Sequence, residues 1–225
     1  MMRRNKVFVF DLDDTLYKEI DFLKSAYREI CFFLESQFEL TEIFNEMLGY
    51  YYQGRDAFQE IINAHRIPVD KITLLKMYRE HKPYICLDED TAQTLRALYD
   101  DPLIKIGIIT DGRYVSQTNK INALGLKTFM GEEDVFISET HGHQKPDEYA
   151  FRMLEERYKG CEFTYIGDNP LKDFLAPNRL GWGTVCLLDD GRNIHKQDFD
   201  LPKEYLPQNK IAAMSDIIKK LAITA

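Results

Sequence analysis

The stretch KVFVFDLDDTLY, residues 6–17, runs four apolar residues, Val7 to Phe10, directly into Asp11, Asp13, Asp14 and Thr15. Carboxylates packed that closely repel one another, and burying any of them is costly unless positive charge lies between them. The pattern points to a cation held among oxygen ligands. Three more reactive sets follow downstream. IGIITDG ends in Thr110, Asp111 and Gly112; SETHGHQKPD leads to Lys145; TYIGDNPLKD supplies Gly167, Asp168, Asn169 and Asp173.

Each set stands after a short apolar run with the length of a strand. These runs are Lys6–Phe10, Ile104–Ile109, Val135–Ile137, Phe163–Ile166 and Thr184–Leu188. Their near-continuous apolar character fits strands covered on both faces. Helical patterns lie between them. Ala92, Leu95 and Leu98 recur at helical spacing, Gly125 marks a helix end, and PDEYAFRMLEERYKG reads as a helix with Pro146 in its first turn and Gly160 at its close. Ser215 is expected to cap DIIKKLA. Alternating strands and helices predict an α/β fold, a doubly wound parallel sheet. Ligands of such sheets bind beyond the carboxyl ends of the strands, so acid, hydroxyl, amine and acid should converge on one rim.

One interval breaks the alternation. From about Lys18 to Cys86 helical patterns dominate and no strand is evident. A crossover needs one helix, so a segment this long predicts a helical insertion with its own small core. The expected division is 1–17 and 87–225 as the α/β core, with 18–86 as the insertion. Residues 189–209, polar and carrying Pro202 and Pro207, read as a long surface loop.

Taken in order, these residues resemble the four motifs of the haloacid dehalogenase-like (HAD) superfamily, most of whose members are phosphatases. D-x-D-x-T is present as Asp11, Asp13 and Thr15, the second motif's hydroxyl as Thr110, the third motif's lysine as Lys145, and G-D-x-x-x-x-D as Gly167, Asp168 and Asp173. The insertion resembles the family's C1-type helical cap. The resemblance implies that Asp11 is a nucleophile forming an aspartyl-phosphate. It implies Mg²⁺ held by Asp11, Asp168 and the backbone carbonyl of Asp13. Asp13 would protonate the leaving oxygen and then deprotonate water. Thr110 would hold phosphoryl oxygens and Lys145 would neutralise charge. Asp173 would support Lys145 or the metal's water shell, and Thr15 would orient the loop.

The carboxylate at Asp13 favours a phosphomonoesterase over the family's dehalogenases and transport ATPases, which lack one there. A phosphomutase shares the same motifs and stays open. So does a domain that only binds a phosphorylated ligand or a protein, although neither Asp11 nor Lys145 is lost. A receiver domain is disfavoured, because its phospho-acceptor follows the third strand. The expected substrate is a small phosphorylated metabolite, a sugar phosphate or nucleotide. Its contacts are expected at Thr110, Asp111, Gly112 and Lys145, with Arg55 of the YYYQGR stretch as a cap candidate. Lys18 and Glu19, on the way into the cap, are further candidates, and His141 and His143 read as ordinary loop residues.

Composition sets outer limits. A chain of 225 residues with 44% hydrophobic and 29% charged residues is that of a globular protein. A net charge of −8 argues against nucleic acid or anionic lipid as partner. The four cysteines, Cys31, Cys86, Cys161 and Cys186, have no metal-ligand spacing and fit a reducing compartment. No apolar run reaches the length of a membrane span, and the expected location is cytoplasmic.

Overall fold

The computed structural model describes residues 5–223. Six strands form one all-parallel sheet: β1 (Lys6–Phe10), β2 (Ile104–Thr110), β3 (Val135–Ile137), β4 (Glu162–Gly167), β5 (Gly183–Leu187) and β6 (Asn209–Ile211). Their order is β3-β2-β1-β4-β5-β6. β1 pairs with β2 through Phe10 and Ile108 and with β4 through Phe10 and Ile166. The chain moves one way from β1 to β3 and then crosses to β4, so the strand order reverses between β1 and β4. That is the crevice where ligands of doubly wound sheets sit. Asp11 follows one of these strands and Asp168 the other.

Alternation within the strands divides the apolar core. Phe8, Phe10, Ile106 and Ile108 face one layer, while Val7, Val9, Ile109 and Tyr165 face the other. The helices are α1 (Glu19–Phe38), α2 (Ile43–Tyr52), α3 (Ala57–His65), α4 (Lys71–Glu80), α5 (Glu89–Tyr99), α6 (Tyr114–Ala123), α7 (Ser138–His141), α8 (Tyr149–Arg157), α9 (Pro170–Asp173), α10 (Leu175–Arg179) and α11 (Asp216–Ile223). Leu95 and Leu98 of α5 and Ile121 of α6 cover the first layer; Phe151 and Leu154 of α8 cover the second.

Between β1 and β2 the first four helices pack around a cluster of their own. Leu34, Ile43, Met47, Ile61 and Leu74 are fully buried in it. Asp56 and Asp70 cap α3 and α4 by accepting hydrogen bonds from the Gln59 and Thr73 amides. Among the described residues no helix is long and apolar enough to cross a membrane.

Three local expectations are corrected. α8 begins at Tyr149, so Pro146 lies in a preceding turn, and the Asp147 carboxylate accepts the Tyr149 amide at 2.7 Å. The segment 189–209 is not purely a surface loop, because it carries a 3-10 turn and ends by entering β6. His141 closes the short helix α7 rather than lying in a loop. Residues 1–4 and 224–225, the outer ends of the expected core, lie outside the described residues.

Truncating Leu34 to Ala opens a cavity in a cluster where Ile43, Met47, Ile61 and Leu74 are likewise fully buried. The expected cost is about 2–5 kcal/mol, read from denaturant unfolding. A change below about 1 kcal/mol would show that the helical unit has no tightly packed core of its own.

Candidate active site

Five chain segments meet at the carboxyl end of the sheet and enclose a cavity of about 130 Å³. Asp11, Asp13, Thr110, Asp111, Lys145 and Asp168 all line it. Its centre is Lys145, whose three N–H donors are all used. The ammonium donates to Asp11 Oδ1 at 2.6 Å, Asp173 Oδ1 at 2.7 Å and the Tyr165 hydroxyl at 3.1 Å. Burial works against the charge, but Asp11 and Asp173 hold the Lys145 ammonium well above the ordinary lysine range.

Asp173 has no exposed surface and organises the loop after β4. Its Oδ2 accepts the backbone amides of Asp168 at 3.1 Å and Asn169 at 2.7 Å. A Cβ on Gly167 would meet that same oxygen at 2.5 Å, so only glycine leaves room for Asp173 to turn back onto the strand end. Asn169 caps α9 by accepting the Leu171 amide, with Pro170 opening the helix.

Asp11, Asp168 and Asp173 bring oxygens within 4.8 Å of one another. Asp173 turns its oxygens to the Lys145 ammonium and the loop amides, whereas Asp168, beside Asp11 on the cavity, accepts from the neutral donors Thr15 and Asn193. Burial pushes Asp11 up to about 7 even with Lys145 in contact. Burial, then Asp173 and Asp11, push Asp168 up to about 9. Two buried carboxylates with that much unmet negative charge are hard oxygen donors of the kind Mg²⁺ takes, and they fit it.

Asp13 stands apart from this cluster. Its Oδ1 accepts from the Tyr17 hydroxyl at 2.5 Å and the Lys120 ammonium at 2.7 Å, and its Oδ2 accepts from Gln117 at 2.9 Å. Burial opposes ionisation, yet Lys120 and these hydrogen bonds hold Asp13 below the ordinary carboxylate value. Gln117 also donates to Thr110 Oγ1 at 2.6 Å. Thr15 donates to Asp168 Oδ1 at 3.3 Å. Asp111 lines the cavity and accepts the Lys145 amide at 3.0 Å, whereas the Gly112 amide turns away to Ser138.

Arg55 is not among the residues around the cavity. Its guanidinium pairs with Glu60 and lies 4.6 Å over the Tyr50 ring. Glu19, by contrast, lines the cavity from the first turn of α1, and His195 lines it from the polar loop after β5. That loop reaches further than its composition suggests. Asn193 donates to Asp168 Oδ2 at 2.9 Å and accepts from Lys18 at 2.7 Å. Gln197 donates to the Asp168 carbonyl at 2.7 Å. The Ile194 amide donates to Asp14, which holds a left-handed φ of 56°. Sequence reasoning missed Gln117, Lys120, Asn193 and Gln197. The one signal for Lys120 was a lysine beside apolar Ile121, three residues after a glutamine, on the helix following Thr110.

These proton affinities set a direction for stability. Asp11 near 7 and Asp168 near 9 keep protons that the unfolded chain releases near pH 4. The folded state therefore binds more protons across that interval, and stability without metal falls as pH rises through 7 and 9. His81, lowered by burial, works in the opposite direction only below about 6.5. In chelator the melting temperature is expected to drop between pH 7 and 9, and Mg²⁺ should raise it by an amount that grows with pH. A gap that stays constant or shrinks over that range would contradict the carboxylate pair as the metal's ligands.

Comparison with known proteins converges on one family. The haloacid dehalogenase-like hydrolase family model matches residues 5–181. The chain is 30% identical over 230 residues to the glyceraldehyde 3-phosphate phosphatase of Methanocaldococcus jannaschii, covering 96% of this chain and 98% of that protein. It is 30% identical over 195 residues to the enzyme of the same name from Methanopyrus kandleri, covering 80% and 82%. Among solved structures, the magnesium-bound HAD-hydrolase YfnB of Bacillus subtilis superposes with a TM-score of 0.68 at 20% identity, covering 97% of this chain and 99% of that one. The fold, the converging motif residues and the family match agree: the chain belongs to the haloacid dehalogenase-like hydrolases, and its full-length relatives are phosphatases.

Proposed function

We propose that this protein is a Mg²⁺-dependent phosphomonoesterase that works through an aspartyl-phosphate on Asp11 and takes a small phosphorylated metabolite. The observation that carries the reading is the pair of carboxylates at the cavity, Asp11 held by Lys145 and Asp13 held separately by Lys120. In this reading Asp11 attacks and Asp13 moves a proton. Helices α1–α4, the span 18–86 with its own core, serve as a cap over the site.

Asp11 Oδ, ionised, attacks phosphorus as the bond to the leaving oxygen breaks, and Asp13, which has taken up a proton before the step, delivers it to that oxygen. Water then loses a proton to Asp13 and attacks the same phosphorus, breaking the bond to Asp11 and releasing phosphate. Lys145 neutralises the nucleophile and the transferring group, and the Thr110 hydroxyl, oriented by Gln117, meets the phosphoryl oxygens. Bound at Asp11 and Asp168, Mg²⁺ supplies the charge that lets two anions approach.

The substrate class follows from size and kinship. A cavity of about 130 Å³ suits a compact phosphoester. The relatives named glyceraldehyde 3-phosphate phosphatase make that triose phosphate the first compound to try. All four cysteines are free, which agrees with a reducing, cytoplasmic setting.

The test is phosphate release from glyceraldehyde 3-phosphate, larger sugar phosphates, nucleotides and small organic phosphates. Native protein and Asp11→Asn are compared, with Mg²⁺ and with chelator. Turnover is expected from the small esters only with Mg²⁺, and Asp11→Asn should lose at least about 10³-fold, as removal of a covalent nucleophile does. Release that survives in Asp11→Asn would rule out the covalent route. No release from any compound would leave transfer between two hydroxyls of one sugar as the chemistry to pursue.

A further inference from the structure

One helix links the cap to the proton-moving carboxylate. α6 follows Thr110 and shows two working faces. From one, the Ser116 hydroxyl donates to the Arg79 carbonyl at 2.7 Å, and Asn119 donates to the Glu80 and His81 carbonyls at 3.1 and 3.0 Å. These are the carbonyls a helix leaves without partners at its C-terminus, so α6 clamps the end of α4. From the other face, Gln117 and Lys120 reach Asp13, one on each carboxylate oxygen.

Lys120 itself touches both units. Its side chain is 4% exposed. The ammonium contacts Asp13 of the core at 2.7 Å, lies 3.9 Å from Glu19 and sits 4.3 Å over the Phe22 ring. Glu19 and Phe22 both belong to the first two turns of α1. A buried lysine is costly unless fully partnered, and here two of its three partners come from the cap. If the first turns of α1 shift, the ammonium loses its ring and its second carboxylate, and its grip on Asp13 changes with them.

We propose that Lys120 is a positioning residue: it orients Asp13 towards the leaving-group oxygen and makes that orientation depend on the seating of α1. The inference rests on the phosphomonoesterase reading above. It assigns no bond-making step to Lys120, only the placement of the carboxylate that carries the proton.

Leaving-group chemistry separates this role from a merely structural one. An alkoxide must be protonated as it departs, whereas p-nitrophenolate leaves as a stable anion. A misplaced Asp13 therefore slows leaving-group release from alkyl phosphates and spares that step for p-nitrophenyl phosphate, while hydrolysis of the shared intermediate slows equally for both. In Lys120→Met, kcat/KM on an alkyl phosphate such as glycerol phosphate, which reports the steps up to leaving-group release, is expected to fall roughly 10- to 100-fold, part of what a positioned acid contributes. With p-nitrophenyl phosphate it should stay within about threefold, with the Mg²⁺ concentration dependence unchanged. Asp13→Asn combined with Lys120→Met should lose little beyond Asp13→Asn alone, because both changes remove one function. Phe22→Leu, which leaves the ion pair intact, should shift the alkyl-to-aryl ratio the same way by a smaller factor, and it carries the test if Lys120→Met does not fold. Equal losses on both esters, or additive losses in the double variant, would overturn the positioning role. Wild-type protein that releases phosphate from neither ester would overturn the phosphomonoesterase reading instead.

Discussion

The contact between the Lys145 ammonium and two buried carboxylates is the constraint on which the rest of the site depends. Asp11 and Asp173 are both nearly or wholly buried, and neither would be tolerated there without a cation between them. Lys145 satisfies both and uses its third donor on Tyr165, which sits on β4 in the centre of the second apolar layer. The arrangement ties three strands' ends together through one nitrogen. It also leaves a deficit of positive charge around Asp11 and Asp168, which turns a stability problem into a metal-binding capacity.

A second charge pair is built on different principles. Asp13 and Lys120 lie a few residues from the first cluster but are satisfied by a separate set of partners, Tyr17 and Gln117. Two neighbouring carboxylates, Asp11 and Asp13, are thus driven in opposite directions, one up by burial and one down by its partners. The split is that of the site without a cation: positive charge bound at Asp11 would favour its ionised, attacking form, and Asp13 takes up a proton before it can deliver one.

Much of this was legible in the sequence, for a physical reason. Strand ends in a parallel sheet are where reactive residues accumulate, and the apolar runs before Asp11, Thr110 and Asp168 mark those ends directly. The alternation of strands and helices, and the run of four helices between β1 and β2, follow from periodicity alone. The supporting residues were not legible, because their role depends on contacts far apart in the chain. Lys120 meets Asp13 across 107 positions, and Asn193 meets Asp168 from a loop whose polar composition suggested solvent. Arg55 shows the converse. Its tyrosine-rich surroundings suggested a pocket, yet the guanidinium is satisfied locally by Glu60 and Tyr50.

The one-turn helix α9 has a consequence for the motif it carries. Asp168 and Asp173 are separated by a fixed interval because that single turn must bring Asp173 back beneath Gly167. Each added helical residue would rotate the carboxylate by about 100°. One insertion would swing it away from Lys145 and the two loop amides together. The spacing therefore acts as a gauge block: it tolerates a change of side chain at Leu171, whose surface is open to solvent, but no change of length.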